Sequence, residues 1–139
     1  MRLATVVSVV AWSVLLATTG VSGDATPSVT LSGRVRGASG RHSVYVALWN
    51  SENFLERPSQ SLRLDVDGPV VYRFQTPPGR WAVSAFEDRN DNGVLDAGRF
   101  GPKEPSGFWK PFRGWRRPRF DDVAVTVDHD VVDADIDLR

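Results

Sequence analysis

The sequence predicts an all-β domain, folded as a single antiparallel β-sandwich with one long ordered loop. Two observations lead to this fold class. Short segments in which apolar and polar residues alternate recur along the chain, and Gly, Pro, Asn or Asp bound them. Beyond the N-terminal stretch, no segment of eleven or more residues shows the clean 3.6-residue period of an amphipathic helix.

Seven segments carry the strand pattern. In residues 28–37 small or apolar residues alternate with polar ones, and residues 43–50 have apolar side chains on both faces. The other five segments are 61–68, 70–75, 80–88, 122–127 and 133–138. The segment SENFLERPSQSL (51–62) could hold one helical turn, with Ser51 as cap and Pro58 as stop. About seven short strands are typical of a Greek-key sandwich with immunoglobulin-like or transthyretin-like connections.

The first 23 residues predict a secretory signal peptide. Arg2 precedes an apolar stretch from Leu3 to Leu16, and the small residues of 21–23 suit a cleavage site. The alternative is an uncleaved membrane anchor, because the stretch is close to the ~20 residues that span a bilayer. The sandwich domain would then comprise residues 24–139, in the periplasm or outside the cell. The absence of cysteine excludes disulfides, thiolate metal sites and a lipoprotein anchor.

The connection from about residue 88 to about residue 119 is longer than most loops in compact domains. Such loops are functional or are packed by their own side chains. We expect packing at least in part, because five aromatic residues lie here: Phe100, Phe108, Trp109, Phe112 and Trp115.

The start of this loop, EDRNDNGVLD (87–96), predicts a calcium site. Counted from Asp88, it matches the oxygen-ligand positions of a twelve-residue calcium loop, with Gly93 at the sharp turn. The predicted ligands are Asp88, Asn90, Asn92, the Val94 carbonyl and Asp96.

Position twelve of the calcium loop is Arg99, a cation, so another residue must complete the ligand shell. Glu104 is the nearest carboxylate downstream and Glu87 the nearest upstream. The competing interpretation is a metal-free hairpin, because Asn92-Gly93 is the strongest signal for a two-residue type I′ turn. The 101–108 segment likewise has two interpretations: it returns Glu104 to the loop, or it only packs Phe108 against the sandwich edge.

The segment AFEDRNDNGVLDAGRFGPKEPSGFW, together with RPRFDDVAVTV further on, resembles the bacterial family known as domain of unknown function 2141. The similarity is strong from Pro77 to Val127 and weak before it. Two departures stand out: the family often has His where this chain has Glu87, and Ser-Asn where WKPFRGWRRPR follows Phe108. The resemblance implies a β-sandwich in an extracytoplasmic location and implies no activity.

The segment 110–120 interleaves basic and aromatic residues, which suits binding to nucleic acid, an anionic polysaccharide or a membrane surface. The chain balances 17 basic against 17 acidic residues, so we expect no nucleic acid partner. The alternative is a loop whose aromatics pack and whose arginines pair with nearby aspartates.

No catalytic motif occurs in the sequence, and an Asp88–Asp96 glycosidase pair is disfavoured by its place in a calcium-type loop. We therefore predict a non-enzymatic binding or envelope-associated module with Ca²⁺ as its possible cofactor. Its partner would be an unknown protein or glycan of the cell envelope, and it would touch the membrane only through an uncleaved N-terminal segment. The alternative function is a carbohydrate- or small-ligand-binding module that uses Trp109 and Trp115 as stacking platforms.

Overall fold

A computed structural model of the chain describes residues 26–65 and 67–139, so the predicted signal peptide or anchor lies outside the described residues. The described part is mostly β, as predicted. Its strands are β1 (Val29–Arg36), β2 (Val44–Trp49), β3 (Gln60–Leu64), β4 (Val71–Thr76), β5 (Gly79–Glu87), β6 (Ala97–Gly98), β7 (Gly101–Pro102), β8 (Ser106–Phe108), β9 (Val125–Val127) and β10 (Ile136–Asp137). A four-residue helix, α1, spans Phe120–Val123.

The strands form two larger sheets and one small hairpin. One sheet has the order β10-β1-β4, in which β1 pairs antiparallel with β4 and parallel with β10. The other has the order β3-β2-β5-β8, with antiparallel pairs throughout. Strand β9 pairs with the first residues of β5, and β8 pairs further along it. The nine residues of β5 therefore hold both ends of the long loop.

The two larger sheets contribute to one hydrophobic core. In β1 the apolar positions are buried and the arginines are exposed, which confirms the predicted alternation. Strand β4 alternates in the same way, with Tyr72 and Phe74 buried and Arg73 exposed. In β2 the residues between the core positions are half-buried, as expected for a strand with apolar side chains on both faces. This second face of β2 forms part of the candidate site described below.

The C-terminal segment lies very close to β1 at Gly33. An added Cβ at Gly33 would lie 2.1 Å from the carbonyl oxygen of Ala134, far inside van der Waals contact. Backbone hydrogen bonds hold the two segments together, from Ser32 N–H to the Val131 carbonyl at 2.8 Å and from Ala134 N–H to the Ser32 carbonyl at 3.0 Å. Glycine at position 33 is therefore what admits the final segment to the sheet.

Each of the seven predicted segments contains a strand, and three further short strands, β6, β7 and β8, lie inside the long loop. The predicted helical turn in 51–62 is not formed: the segment makes hydrogen-bonded turns, in which the Arg57 N–H donates to the Asn53 carbonyl at 3.0 Å, and Leu55 takes a non-helical φ of 62°. Asn50 rather than Ser51 caps these turns, because the Asn50 side chain accepts the N–H groups of Glu52 and Asn53. Across 26–65 and 67–139, no helix has the length and apolar character needed to cross a membrane.

Candidate functional site

The predicted metal loop begins at a buried carboxylate. Asp88 is 1% exposed, and its side chain accepts the N–H of Gly93 at 2.7 Å and that of Asn92 at 3.3 Å. These bonds draw the chain back over Asp88, and Asp91 and Gly93 take positive φ angles of 56° and 75°. A type I′ hairpin needs positive φ at both Asn92 and Gly93. The loop is therefore compact but is not the two-residue hairpin that the Asn-Gly pair suggested.

At the end of the loop, Asp96 accepts hydrogen bonds from the two predicted amide ligands, Asn90 and Asn92. The Asn92 side-chain amide donates to both Asp96 carboxylate oxygens at 3.2 Å, and the Asn90 amide also donates to Asp96. Val94 is 61% exposed, and its N–H donates to Asn92 Oδ1 at 3.0 Å. Asp96 thus has two amide neighbours on its carboxylate.

Glu104 reaches the loop from the segment beyond it. It is 6% exposed and accepts the N–H of Arg89 at 2.8 Å and that of Asp96 at 3.2 Å. The β6–β7 hairpin reverses the chain, and the Lys103 N–H donates to the Asp96 carbonyl at 2.8 Å. Of the two interpretations of 101–108, the structure shows the one in which Glu104 returns to the loop.

Glu87, the upstream candidate, points elsewhere. It is 0% exposed and accepts the Ser39 N–H at 2.5 Å and Arg89 Nε at 3.1 Å. Burial raises the pKa of Glu87, but the hydrogen bonds from Ser39 and Arg89 outweigh it, so the pKa lies below its usual value. Glu87 therefore anchors the 37–40 turn to the loop as an ionised carboxylate.

A polar cavity of about 480 Å³ opens beside Asp96 and Glu104. Asn90 also lines it, and Arg89 and Lys103 bring positive charge to it. Within the described ranges, no group of three or more His, Cys, Asp or Glu side chains is placed to hold a metal ion. A cation here would consequently need amide and backbone oxygens in addition to carboxylates.

On the other side of the loop lies a groove of about 1430 Å³ over the outer face of β2, β5 and β8. Tyr45 and Phe86, which are cross-strand neighbours, stack in its floor with ring centroids 5.2 Å apart. Trp49 lies in the same floor and donates from its indole N–H to Ser84 Oγ at 2.8 Å. Residues of both the metal loop and the basic segment form the walls.

The two predicted stacking residues both line this groove but differ in burial. Trp109 is half-buried and packs against the core, and its backbone N–H donates to the Val83 carbonyl at 2.9 Å. Trp115 is fully exposed, as is nearly all of Phe100. The expectation that the loop aromatics pack at least in part is confirmed by Phe108, Trp109 and Phe112, which are half-buried, whereas Phe100 and Trp115 are exposed.

The basic segment is held in place by Arg116. Its guanidinium lies over the Phe112 ring, 5.4 Å from the centroid, and donates to the Asp122 carboxylate at 2.7 and 3.0 Å. These bonds, with one from the Arg119 N–H, lower the pKa of Asp122 to about 2. The segment is therefore an ordered wall, fixed to α1 at one end.

The low pKa of Asp122 predicts an acid-sensitive contact. A carboxylate whose pKa is lowered in the folded state stabilises the fold at pH values above its usual pKa of 3.8. This stabilisation is lost as the pH falls through about 2. We expect the NMR titration of the Asp122 carboxyl to have its midpoint near pH 2 and to move towards 3.8 in Arg116→Gln. Arg113→Gln, in the same segment, should leave it unchanged. A midpoint that Arg116→Gln does not move would contradict the contact.

The sequence profile of a family described as uncharacterized proteins conserved in bacteria, DUF2141, matches residues 34–135. The chain belongs to the DUF2141 family. The match begins in β1 and ends just before β10, so in this DUF2141 chain it includes the loop, the polar cavity and most of the groove. No curated protein and no solved structure matches the chain.

Sequence reasoning missed the floor of the groove and the direction of Glu87. The available signal for the floor was the second apolar face of β2, where Tyr45, Ala47 and Trp49 share one side of the strand. The signal for Glu87 was its place at the end of β5, because it lies on the same side of the strand as the buried Val83 and Ala85.

Proposed function

We propose that the chain is an extracytoplasmic, non-enzymatic binding or envelope-associated module in which the loop 88–96 takes up calcium and is stabilised by it. The two larger sheets share one core, which supports the proposal of a β-sandwich with Greek-key connections. The signal-peptide pattern of residues 1–23 supports an extracytoplasmic location.

The observation that carries the calcium proposal is the return of Glu104. Its carboxylate accepts the N–H of Asp96, so the acid lies at the end of the loop where position twelve supplies none. Each of its oxygens accepts one hydrogen bond here and keeps a further lone pair. Glu104 can therefore take the place that Arg99 cannot fill.

The amide groups at the loop are compatible with a cation after a local rotation. Asn90 and Asn92 direct their nitrogens at Asp96, and a half-turn of each amide would present an oxygen to the same region. Together with Asp88, Asp96, Glu104 and the Val94 carbonyl, these oxygens form the hard-oxygen ligand set that we propose. Because Arg89 and Lys103 lie beside the cavity, we expect affinity in the ~10⁻⁴–10⁻³ M range of extracellular calcium modules.

A structural role is favoured over proton transfer by the bonding of the buried acids. Glu87 is kept ionised by its donors, as its lowered pKa shows, and Asp88 accepts two backbone N–H groups that set the turn. A general acid needs a raised pKa, so the lowered pKa of Glu87 favours a structural role for that carboxylate.

The test is the shift in melting temperature that about 10 mM calcium, roughly tenfold or more above the expected Kd, produces relative to chelator. We expect a rise of about 5 °C for the wild-type domain at calcium well above Kd. Asp96→Ala and Glu104→Gln should abolish the rise, whatever their own melting temperatures. Asp91→Asn is the matched control, because it removes one charge from the same loop at a position that is not a predicted ligand and tolerates positive φ. A wild-type melting temperature indifferent to calcium would exclude the calcium proposal.

A second candidate function is ligand binding in the groove. Two observations favour it. Trp115 lines the groove and is fully exposed, and the volume of the groove exceeds the roughly 300–1,000 Å³ of ordinary small-molecule sites. Exposed apolar patches on a soluble domain commonly mark interaction sites. Loss of glycan binding in Trp115→Ala with an unchanged melting temperature would support this function, and glycan binding that survives Trp115→Ala combined with Trp109→Ala would reject it.

A further inference from the structure

The charge of the groove differs from that of the whole chain. Five arginines line it, and one of them, Arg116, is neutralised by Asp122. The other four, Arg99, Arg113, Arg117 and Arg139, have no ion pair within 4.0 Å among the described residues. A neutral chain thus concentrates unpaired positive charge around one aromatic surface.

The acidic residues of the groove do not cancel this charge. Asp135 is engaged by Arg36, which lies outside the groove, at 2.5 Å, and Asp137 lies 3.9 Å from the same guanidinium. Glu56 is the remaining carboxylate side chain of the lining and makes no ion pair in the part of the chain that the structure describes. The single charge of Arg36 balances only one of Asp135 and Asp137, so four unpaired arginines face two uncompensated carboxylate charges, that of Glu56 included. The groove keeps an excess of positive charge, which complements an anionic ligand.

The aromatic side chains of the groove suit a sugar ring. The Tyr45–Phe86 stack offers flat apolar surface in the floor, and Trp115 offers an exposed ring at the wall. Phe100 is also exposed, with the Arg99 guanidinium over one ring face at 6.0 Å from the centroid. The faces of sugar rings are lined with C–H groups that pack on such surfaces, while guanidinium groups bind carboxylates by paired hydrogen bonds. The volume of the groove favours a polymer over a single small molecule.

An acidic peptide is the less favoured occupant. Extended peptides commonly bind by adding a strand to an exposed sheet edge. The edge strand beside this groove, β8, is already paired on its outer side, because Ser106 and Arg139 exchange two backbone hydrogen bonds of 3.2 Å. An extended chain in the groove would therefore have to bind through side chains alone.

We infer that the groove binds an acidic polysaccharide, with Arg113 and Arg117 pairing with its carboxylates and Trp115 stacking on its rings. This inference rests on the second candidate function and names its ligand class. It is independent of the calcium proposal, because none of the three residues belongs to the loop 88–96.

The test measures the affinity of the folded domain for short oligogalacturonate by calorimetry, in calcium-free buffer because the oligomer itself binds calcium. The compared probes are a neutral cello-oligosaccharide and poly-glutamate. We expect the Arg113→Gln/Arg117→Gln double variant to weaken oligogalacturonate binding about fivefold or more and to reduce its salt dependence. Trp115→Ala should weaken it about threefold or more.

The matched control is Arg73→Gln, which removes an exposed arginine from β4, outside the groove lining. It should leave the affinity unchanged, and the melting temperatures of all variants should stay near that of the wild type because the side chains are exposed. Failure to bind oligogalacturonate, or equal weakening by Arg73→Gln, overturns the inference.

Two other outcomes identify a different ligand. Cello-oligosaccharide binding that Trp115→Ala abolishes and the double arginine variant leaves intact would overturn the acidic class while keeping the ligand-binding function. Tighter binding of poly-glutamate than of oligogalacturonate would overturn the polysaccharide in favour of an acidic peptide. Absence of binding by all three probes would reject the inference and leave the calcium proposal to its own melting test.

Discussion

Replacing Gly33 by alanine is expected to lower the free energy of unfolding by roughly 3–5 kcal/mol, the range of severe packing defects. The new Cβ would lie 2.1 Å from the Ala134 carbonyl oxygen and 2.4 Å from its carbonyl carbon. Both are backbone atoms, so no side-chain rotation relieves the overlap. The segment 131–135 must instead move away from β1.

That movement has further costs. The same segment is tied to β1 by the Ser32–Val131 and Ala134–Ser32 backbone bonds and by the Arg34 N–H, which donates to Asp135 at 2.9 Å. Displacing the segment lengthens all of these bonds and exposes Ile136, which is 0% exposed in the core.

Urea denaturation with an unchanged slope would measure the loss for Gly33→Ala. Gly98→Ala is the control, because its added Cβ meets chiefly the flexible end of the Lys103 side chain and Gly98 does not have a positive φ. We expect it to cost about 1 kcal/mol or less. If Gly33→Ala were as mild as Gly98→Ala, the final segment would not lie against β1.

The second large effect is expected for Glu87→Ala, at about 2–3 kcal/mol. The substitution empties a fully buried position and removes the acceptor of the Ser39 N–H and of Arg89 Nε. Ser39 lies some fifty residues away in the chain, so the bond also ties the 37–40 turn to the start of the metal loop. Exposed Glu52 provides the control, and Glu52→Ala should change stability by no more than about 0.5 kcal/mol.

The pH dependence of Glu87 has a definite sign. Its pKa is lowered in the folded state, so its contribution is present above the usual value of 4.5 and disappears as the pH falls through the folded value. Stability measured against pH should therefore fall less steeply on the acid side in Glu87→Gln than in the wild type. If stability fell equally steeply with decreasing pH in the wild type and in Glu87→Gln, Glu87 would not be an ionised carboxylate stabilised by hydrogen bonds.

The mostly β fold was predictable because burial on one side of a strand leaves a period of two in the sequence. The alternation of β1 identified its buried face correctly, position by position. Local hydrogen bonding was less predictable, since Asn50 and Ser51 are both good caps and only the path of the chain decides between them.

For the candidate site, sequence spacing identified the loop and named Glu104, but it could not decide whether Glu104 reaches the loop. That depends on the reversal at β6–β7, a two-residue ladder with no alternation to reveal it. The exposure of Trp115 was unpredictable for a related reason. An irregular segment has no period, so its aromatic residues carry no sign of which way they face.

The chain from Asp88 to Arg99 contributes residues both to the polar cavity and to the groove. Asn90 and Asp96 face the polar cavity, whereas Val94, Leu95 and Arg99 line the groove. A cation on one side and a polysaccharide on the other would thus share a single stretch of backbone. Thermodynamic reciprocity requires equal effects: the factor by which calcium changes the affinity of the domain for the polysaccharide is the factor by which the polysaccharide changes its affinity for calcium. A positive coupling would make this weak calcium site tighter wherever the polymer is abundant, and a negative coupling would make it weaker.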